Sequence, residues 1–179
     1  EAECSSRVAA WQLGVGVIAV RALVWLVIFF VHGTITILMP LLLLYADIQP
    51  LHASLGVFRF FGFVPIITGV LILLWSVRNL VIAGKGTPAP FDPPKQLVVR
   101  GPYRYVRNPM YVGDLLVLLG ESLLFETFIV LIYALLILSI CHLFVTLYEE
   151  PILKQQFGEP YQRYYNTVPR WIPARRAYE

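Results

Sequence analysis

Residues 100–113 read R-G-P-Y-R-Y-V-R-N-P-M-Y-V-G, a basic segment with glycine and proline that lies between two strongly apolar blocks. A second polar segment follows the next apolar block. It begins at Glu149-Glu150-Pro151 and continues over residues 157–173 as F-G-E-P-Y-Q-R-Y-Y-N-T-V-P-R-W-I-P. Basic and acidic groups placed at the ends of apolar helices predict a polar site at a membrane surface.

The composition predicts an integral membrane protein. Hydrophobic residues make up 58% of the chain and charged residues only 14%, whereas soluble domains have about 25% charged residues. The 179 residues predict a single membrane domain, 1–179. The basic residues form no stripe with exposed aromatic residues, so a nucleic-acid partner is not expected. Neither the cysteines nor the histidines have metal-ligand spacing, so no metal is expected.

The apolar blocks predict an all-α fold with about four transmembrane helices. The predicted spans are residues 23–45, 58–83, 112–125 and 127–148. Residues 8–21 form a shorter apolar segment, which is either a fifth helix or an interfacial one. Between residues 84 and 108 there are five Lys or Arg residues and one acid, Asp92. The positive-inside rule therefore predicts a cytoplasmic loop there, with both termini cytoplasmic.

The last two spans are separated only by Glu126, which predicts an antiparallel helical hairpin. Such a hairpin brings residues 100–113 and the Glu149-Glu150 pair to the same membrane face. The amphipathic segment 151–179 is expected to lie on that cytoplasmic face. In the second span, Gly62, Gly69 and Ser76 recur every seven residues, a spacing of small side chains that favours close approach of another helix.

Ionisable residues also occur inside the predicted spans. Asp114 and Glu121 are seven residues apart and share one helix face, which we expect to look into a cavity. Glu121 could instead lie near the far interface. His32 is open to two interpretations, a packing residue or a functional one. The residues alone indicate a membrane-level cavity able to hold a zwitterionic or phosphorylated cofactor beside a lipophilic substrate.

The motifs R-x-P-x-Y-x-G and E-E-x-x-L-x-x-x-F-G-x-x-Y-x-x-Y-x-x-x-V-P, at residues 107–113 and 149–169, resemble those of a known superfamily. It comprises the isoprenylcysteine carboxyl methyltransferases and phospholipid N-methyltransferases, which are integral membrane enzymes. The resemblance covers residues 84–173, the predicted catalytic half. It implies S-adenosylmethionine as methyl donor at the cytoplasmic end of the hairpin, and a lipid or lipophilic acceptor that enters from the bilayer.

The resemblance also assigns residues to the site. It implies catalytic roles for Arg107, Asn108 and Glu150. It implies that the cofactor is bound by Arg107, Pro109, Tyr111, Gly113, Glu149, Glu150, Tyr161 and Tyr164. An arginine can pair with the donor's carboxylate, and a carboxylate can accept hydrogen bonds from its ribose or amino group.

Two positions depart from the superfamily pattern. Asn108 stands where many members have His, so a titrating role there is not supported. Residues 143–148 lack the Arg that prenylcysteine enzymes carry about one turn before the acidic pair. The acceptor therefore stays open among a prenylcysteine-like carboxylate, a phospholipid amine and a small thiol.

Two alternatives use the same motifs differently. Membrane sterol reductases share a similar C-terminal half, including a Gly-Asp pair like Gly113-Asp114, but they use a nicotinamide cofactor and have about twice as many spans. A non-catalytic membrane adaptor is the other alternative.

Overall fold

The structure, a computed structural model, describes residues 30–46, 54–84 and 96–178. These residues form α-helices and short helical turns, without a β-strand among them, as predicted. The helices are α1 (Phe30–Tyr45), α2 (Phe63–Gly84), α3 (Pro109–Leu124), α4 (Phe128–Phe144), α5 (Glu150–Phe157) and α6 (Glu159–Thr167). The 8–21 segment, residues 23–29 of the first predicted span and residues 85–95 of the predicted cytoplasmic loop lie outside the described residues.

Two continuous helical stretches are long and apolar enough to cross a membrane. A 3₁₀ turn extends α2 backwards, giving Gly56–Ala83, and α4 continues through α5, giving Phe128–Phe157. Their 28 and 30 residues exceed the roughly 20 needed to span the hydrocarbon core. Large apolar side chains such as Leu71 and Leu136 point outward, more than half exposed. Such surfaces are unfavourable in water and suit lipid, as expected of an integral membrane protein.

Helices α2 and α3 cross closely because glycines face each other on both. A Cβ atom added to Gly69 would lie 2.5 Å from the carbonyl oxygen of Gly113. Two helical turns away, a Cβ on Gly62 would lie 2.5 Å from the carbonyl oxygen of Gly120. The predicted small-residue face is therefore a helix-packing surface, and its partner is a second pair of glycines seven residues apart on α3.

The hairpin turn between α3 and α4 is anchored by Glu126. This residue has a positive φ of 58°, which is unusual for a residue with a Cβ. Its Oε1 accepts hydrogen bonds of 2.8 Å from the backbone amides of Leu55 and Gly56. These bonds tie the start of the Gly56–Ala83 helix to the hairpin turn, at the end of the bundle opposite Glu150.

Two wide π-helical turns each precede a proline. Thr34–Leu38 lies two residues before Pro40, and Val145–Glu149 lies two residues before Pro151. Proline has no N–H and its ring clashes with the carbonyl four residues earlier. A π turn widens the helix locally and accommodates it without ending the helix. The second turn therefore lets α4 run on into α5, rather than stop at Tyr148 as predicted.

The C-terminal segment returns to the loop before α3. Backbone amides of Arg107, Ala174 and Tyr178 donate to the carbonyls of Pro169, Tyr105 and Arg104 at 2.8–3.0 Å. The Arg104 side chain closes the arrangement, donating from Nε to the Tyr178 carbonyl at 2.6 Å. A buried cluster of Tyr161, Tyr164 and Val168 packs beneath this tail. Residues 100–108 and 169–178 therefore form one layer at the end of the bundle.

Candidate functional site

A cavity of about 410 Å³ opens at this end of the bundle, within the usual volume range for small-molecule sites. Helices α1, α3, α4, α5 and α6 and the loop before α3 all contribute to its wall. Its inner part is apolar, with Ile35, Leu115 and Ile137 among the lining residues. Its polar part contains Arg107, Glu149 and Glu150. The predicted basic and acidic segments therefore meet at one cavity.

Glu150 is buried and held by two arginines. Arg107 Nη1 lies 3.0 Å from Glu150 Oε1. Arg170 donates from Nε to Oε1 at 2.8 Å and from Nη2 to Oε2 at 2.9 Å. This two-bond geometry is the strongest arrangement available to an arginine and a carboxylate. The hydrogen bond to Glu150 raises the pKa of Arg170. Both carboxylate oxygens of Glu150 therefore already have partners within the protein.

The neighbouring carboxylate is less completely paired. Glu149 lines the cavity, and its buried Oε2 has no hydrogen-bond partner among the residues that the structure describes. Arg107 Nε is likewise without a hydrogen bond there. The Arg107 guanidinium lies 4.1 Å from the centre of the Tyr165 ring, a cation–π contact that fixes its plane. Glu149 and Arg107 are thus the charged groups on this wall with hydrogen-bonding capacity left for a ligand.

The predicted tyrosines are buried in the same wall. Burial, with the Glu150 carboxylate nearby, raises the pKa of Tyr161 to about 12. Burial also raises the pKa of Tyr164, whose hydroxyl donates to the Tyr103 carbonyl at 2.8 Å. Both phenols therefore stay protonated at neutral pH. The Tyr164 hydroxyl therefore stabilises the loop before α3, while Tyr161 borders the cavity near Arg107.

The other predicted residues lie at the start of α3. Asn108 is the N-terminal cap residue and donates from Nδ2 to the Arg170 carbonyl at 3.3 Å. Pro109 is the first helical residue, where its missing N–H has no cost. Asn108, Pro109 and Tyr111 line the cavity. Gly113 is not among the cavity-lining residues; it lies in the α2–α3 crossing, against Gly69 and Leu73.

The structure adds residues that the sequence motifs did not single out for the site. Arg170 belongs to the amphipathic segment that was expected only to lie on the cytoplasmic face, but its guanidinium lies on Glu150. The sequence feature that could have pointed to Arg170 is its position directly after Pro169, because a proline restricts the backbone and so helps to fix the direction of the next residue. On the opposite side of the cavity, His32 Nδ1 lies 2.8 Å from Asp114 Oδ2, and both residues line the cavity.

Comparison with known proteins agrees with the resemblance. A family model described as phospholipid methyltransferase matches residues 57–160, more than half of the chain. The protein-S-isoprenylcysteine O-methyltransferase of Schizosaccharomyces pombe (strain 972 / ATCC 24843) is 37% identical over 78 residues. That match spans 43% of this chain and 33% of the yeast protein. Neither finding favours the sterol-reductase alternative, and the predicted superfamily is confirmed. The chain belongs to the phospholipid methyltransferase family.

Proposed function

We propose that the protein is an S-adenosylmethionine-dependent methyltransferase that transfers a methyl group to a lipophilic acceptor at a membrane surface. The observation that carries this proposal is the cavity itself, which joins Arg107, Glu149 and Glu150 to apolar helix walls. A donor that carries charged groups and an acceptor with an apolar chain need a charged surface and an apolar surface in one cavity.

The residues present fit such a donor. The unpaired Glu149 oxygen suits the donor's amino group or ribose hydroxyls, and Arg107 suits its carboxylate. When bound, the sulfonium supplies an activated methyl group that needs alignment with the acceptor more than acid–base assistance. Arg170 holds the Glu150 carboxylate in place, and Glu150 in turn holds Arg107. The protein's contribution is therefore orientation and the exclusion of water.

A neighbouring groove supports a lipophilic acceptor. It has a volume of about 640 Å³ and runs between α3 and α4, where it shares Leu115 with the cavity. Its other lining residues are Val112, Leu116, Leu119, Leu138, Ser139, His142, Leu143 and Trp171. This lining is mostly aliphatic, so an acyl or prenyl chain lying there would place its head group near the cavity.

The experiment is thermal unfolding of the detergent-solubilised protein with S-adenosylhomocysteine. A ligand at 100 times its Kd stabilises by about 2.7 kcal/mol, so the melting temperature should rise by several degrees. We expect Glu149→Gln to lose most of this shift while the ligand-free melting temperature changes little. Glu159→Gln, an exposed carboxylate on α6, is the matched control and should bind like wild type.

Two outcomes contradict the proposal. Stabilisation of the wild type by NADPH and not by S-adenosylhomocysteine would replace the methyltransferase with the reductase alternative. An unchanged shift in Glu149→Gln would leave a methyltransferase whose donor does not contact Glu149.

We also propose that the cavity opens on the cytoplasmic side and that both termini lie there. The support is the concentration of Lys and Arg between residues 84 and 108 and the packing of residues 169–178 against that loop. A cysteine at Arg175→Cys, with Cys4 and Cys141 replaced by Ser, should react with an impermeant maleimide in inside-out vesicles. Labelling in sealed right-side-out vesicles instead would reverse the proposed orientation.

A further inference from the structure

His32 and Asp114 form a second polar group in the cavity, apart from the Glu150 cluster. His32 lies on α1 and Asp114 on α3, and the His32 Nδ1 to Asp114 Oδ2 distance is 2.8 Å. The Asp114 side chain is only 6% exposed and that of His32 is 24% exposed. Both line the cavity, next to apolar residues such as Ile35 and Leu115. The pair is thus embedded among the helices and still borders the space where a ligand fits.

The hydrogen-bonding groups of His32 and Asp114 are not all used by contacts within the described part of the protein. Asp114 Oδ1 is buried without a hydrogen-bond partner in the described part of the chain. The Nδ1 to Oδ2 contact is short, but its geometry does not qualify as a good hydrogen bond. A buried carboxylate with an unused oxygen is costly. Polar groups inside a membrane bundle are generally retained where a substrate or ion uses them.

The charges of the cavity differ between its two sides. Arg107 and Arg170 both pair with Glu150, so their positive charges are concentrated at the outer side. At Asp114, the described ion-pair partner is His32, which is charged only when protonated. A second carboxylate placed there would be repelled, whereas an ammonium group would be attracted.

We propose that His32 accepts the proton of the methyl acceptor, that Asp114 positions His32, and that the cavity therefore selects an amine over a carboxylate. This inference rests on the proposed function. Nδ1 is the ring nitrogen next to Asp114, 2.8 Å from Oδ2, so Nε2 is the one left to take the proton. A carboxylate this close stabilises the imidazolium that forms through its charge.

The step balances without any further reactant. The acceptor ammonium gives one proton to His32 Nε2, which leaves a neutral amine and an imidazolium. The amine lone pair then forms the C–N bond as the donor's S–CH₃ bond breaks, and the sulfur keeps that electron pair. His32 returns its proton to water after the product leaves. A carboxylate acceptor is already ionised at neutral pH and would need no such base.

The test compares His32→Ala and Asp114→Asn with wild type in lipid nanodiscs. Labelled methyl transfer is measured to phosphatidylethanolamine and to an N-acetyl prenylcysteine, from pH 6 to pH 10. We expect wild type to methylate the amine, and His32→Ala to lose about 100-fold of that rate at pH 7. The loss should shrink towards pH 10, where the amine deprotonates in solution. Loss of packing alone would not depend on pH in this way.

Other charged or titratable groups also line the cavity and contribute to the pH profile of both wild type and variants: Tyr103, Arg107, Tyr111, Cys141, Tyr148, Glu149, Glu150, Tyr161 and Tyr164. Ile37→Ala is the matched control, because Ile37 lies on the same helix as His32, is 57% exposed and lines neither the cavity nor the groove. Its pH profile should match that of wild type. Asp114→Asn keeps the side-chain shape and should lower the amine rate about tenfold.

A readout without turnover comes from ligand binding. A short-chain phosphatidylethanolamine should stabilise wild type against heat, and Asp114→Asn should lose this shift while keeping the shift with S-adenosylhomocysteine. The inference is overturned if His32→Ala methylates the amine at the wild-type rate across the pH range. It is also overturned if the prenylcysteine is methylated and the amine is not. If wild type does not bind S-adenosylhomocysteine, the proposed function fails and this inference fails with it.

Discussion

Gly120→Ala is expected to lower the melting temperature of the detergent-solubilised protein by about 6 °C. The added Cβ would meet the carbonyl oxygen of Gly62 and the Ile66 side chain. The first of these is a backbone atom, so only separation of α2 and α3 relieves the clash. Overpacking of this kind costs about 1–3 kcal/mol, and each kcal/mol lowers the melting temperature of a chain this long by roughly 2–4 °C.

Gly33→Ala is the matched control for this variant. Gly33 lies in α1 with ordinary helical dihedrals, and a Cβ there would meet nothing within 4 Å. Alanine favours a helix over glycine by up to about 1 kcal/mol, so the control should melt at or slightly above the wild-type temperature. If Gly120→Ala melted like wild type, the close α2–α3 crossing would not exist in the folded protein.

Arg170→Ala is expected to destabilise the protein and to abolish most donor binding. It removes two hydrogen bonds from a Glu150 side chain that is only 7% exposed. Breaking a buried ion pair by removing one partner costs about 3–5 kcal/mol, and here Arg107 limits the loss to about the lower value. The affinity for S-adenosylhomocysteine should fall at least tenfold, because Arg107 is no longer held in place by a fixed Glu150.

A second substitution separates charge from geometry. In Arg170→Ala with Glu150→Gln, the uncompensated carboxylate is gone, so much of the lost stability should return while donor binding stays weak. Arg176→Ala, which removes an exposed arginine from the same tail, controls for net charge. Calorimetric titration and thermal melting measure both quantities. A wild-type affinity in Arg170→Ala would show that Glu150 needs only Arg107.

The helical architecture was predictable because long apolar stretches and small-residue spacing depend on local sequence. The seven-residue spacing of Gly62, Gly69 and Ser76 identified the packing face of α2. Its partner glycines on α3 could not be identified in the same way, since Gly113 also falls in a motif that the resemblance assigned to the cofactor. The continuous helix Phe128–Phe157 is longer than the predicted span, because Glu149, Glu150 and Pro151 suggested an end, while a π turn joins α4 to α5.

The site was predictable only in part. The motifs placed Arg107 and Glu150 in one region, and the structure brings them to 3.0 Å. The His32–Asp114 pair was not predictable, because it joins residues 82 positions apart and His32 lies outside the region of resemblance. Arg170 was missed for a related reason: arginines near Trp171 suit an interfacial anchor, and only tertiary packing shows which carboxylate one of them reaches. The roles implied for the other motif residues remain predictions.

The layer formed by residues 100–108 and 169–178 has a consequence for proteolysis. Cleavage at the start of the tail would remove none of the long apolar helices, so the remaining chain would stay in the membrane. It would leave Glu150 with only Arg107 as an ion-pair partner, and the loop would lose its backbone hydrogen bonds with the tail. Membrane anchoring and completion of the cavity wall therefore depend on separate parts of the chain.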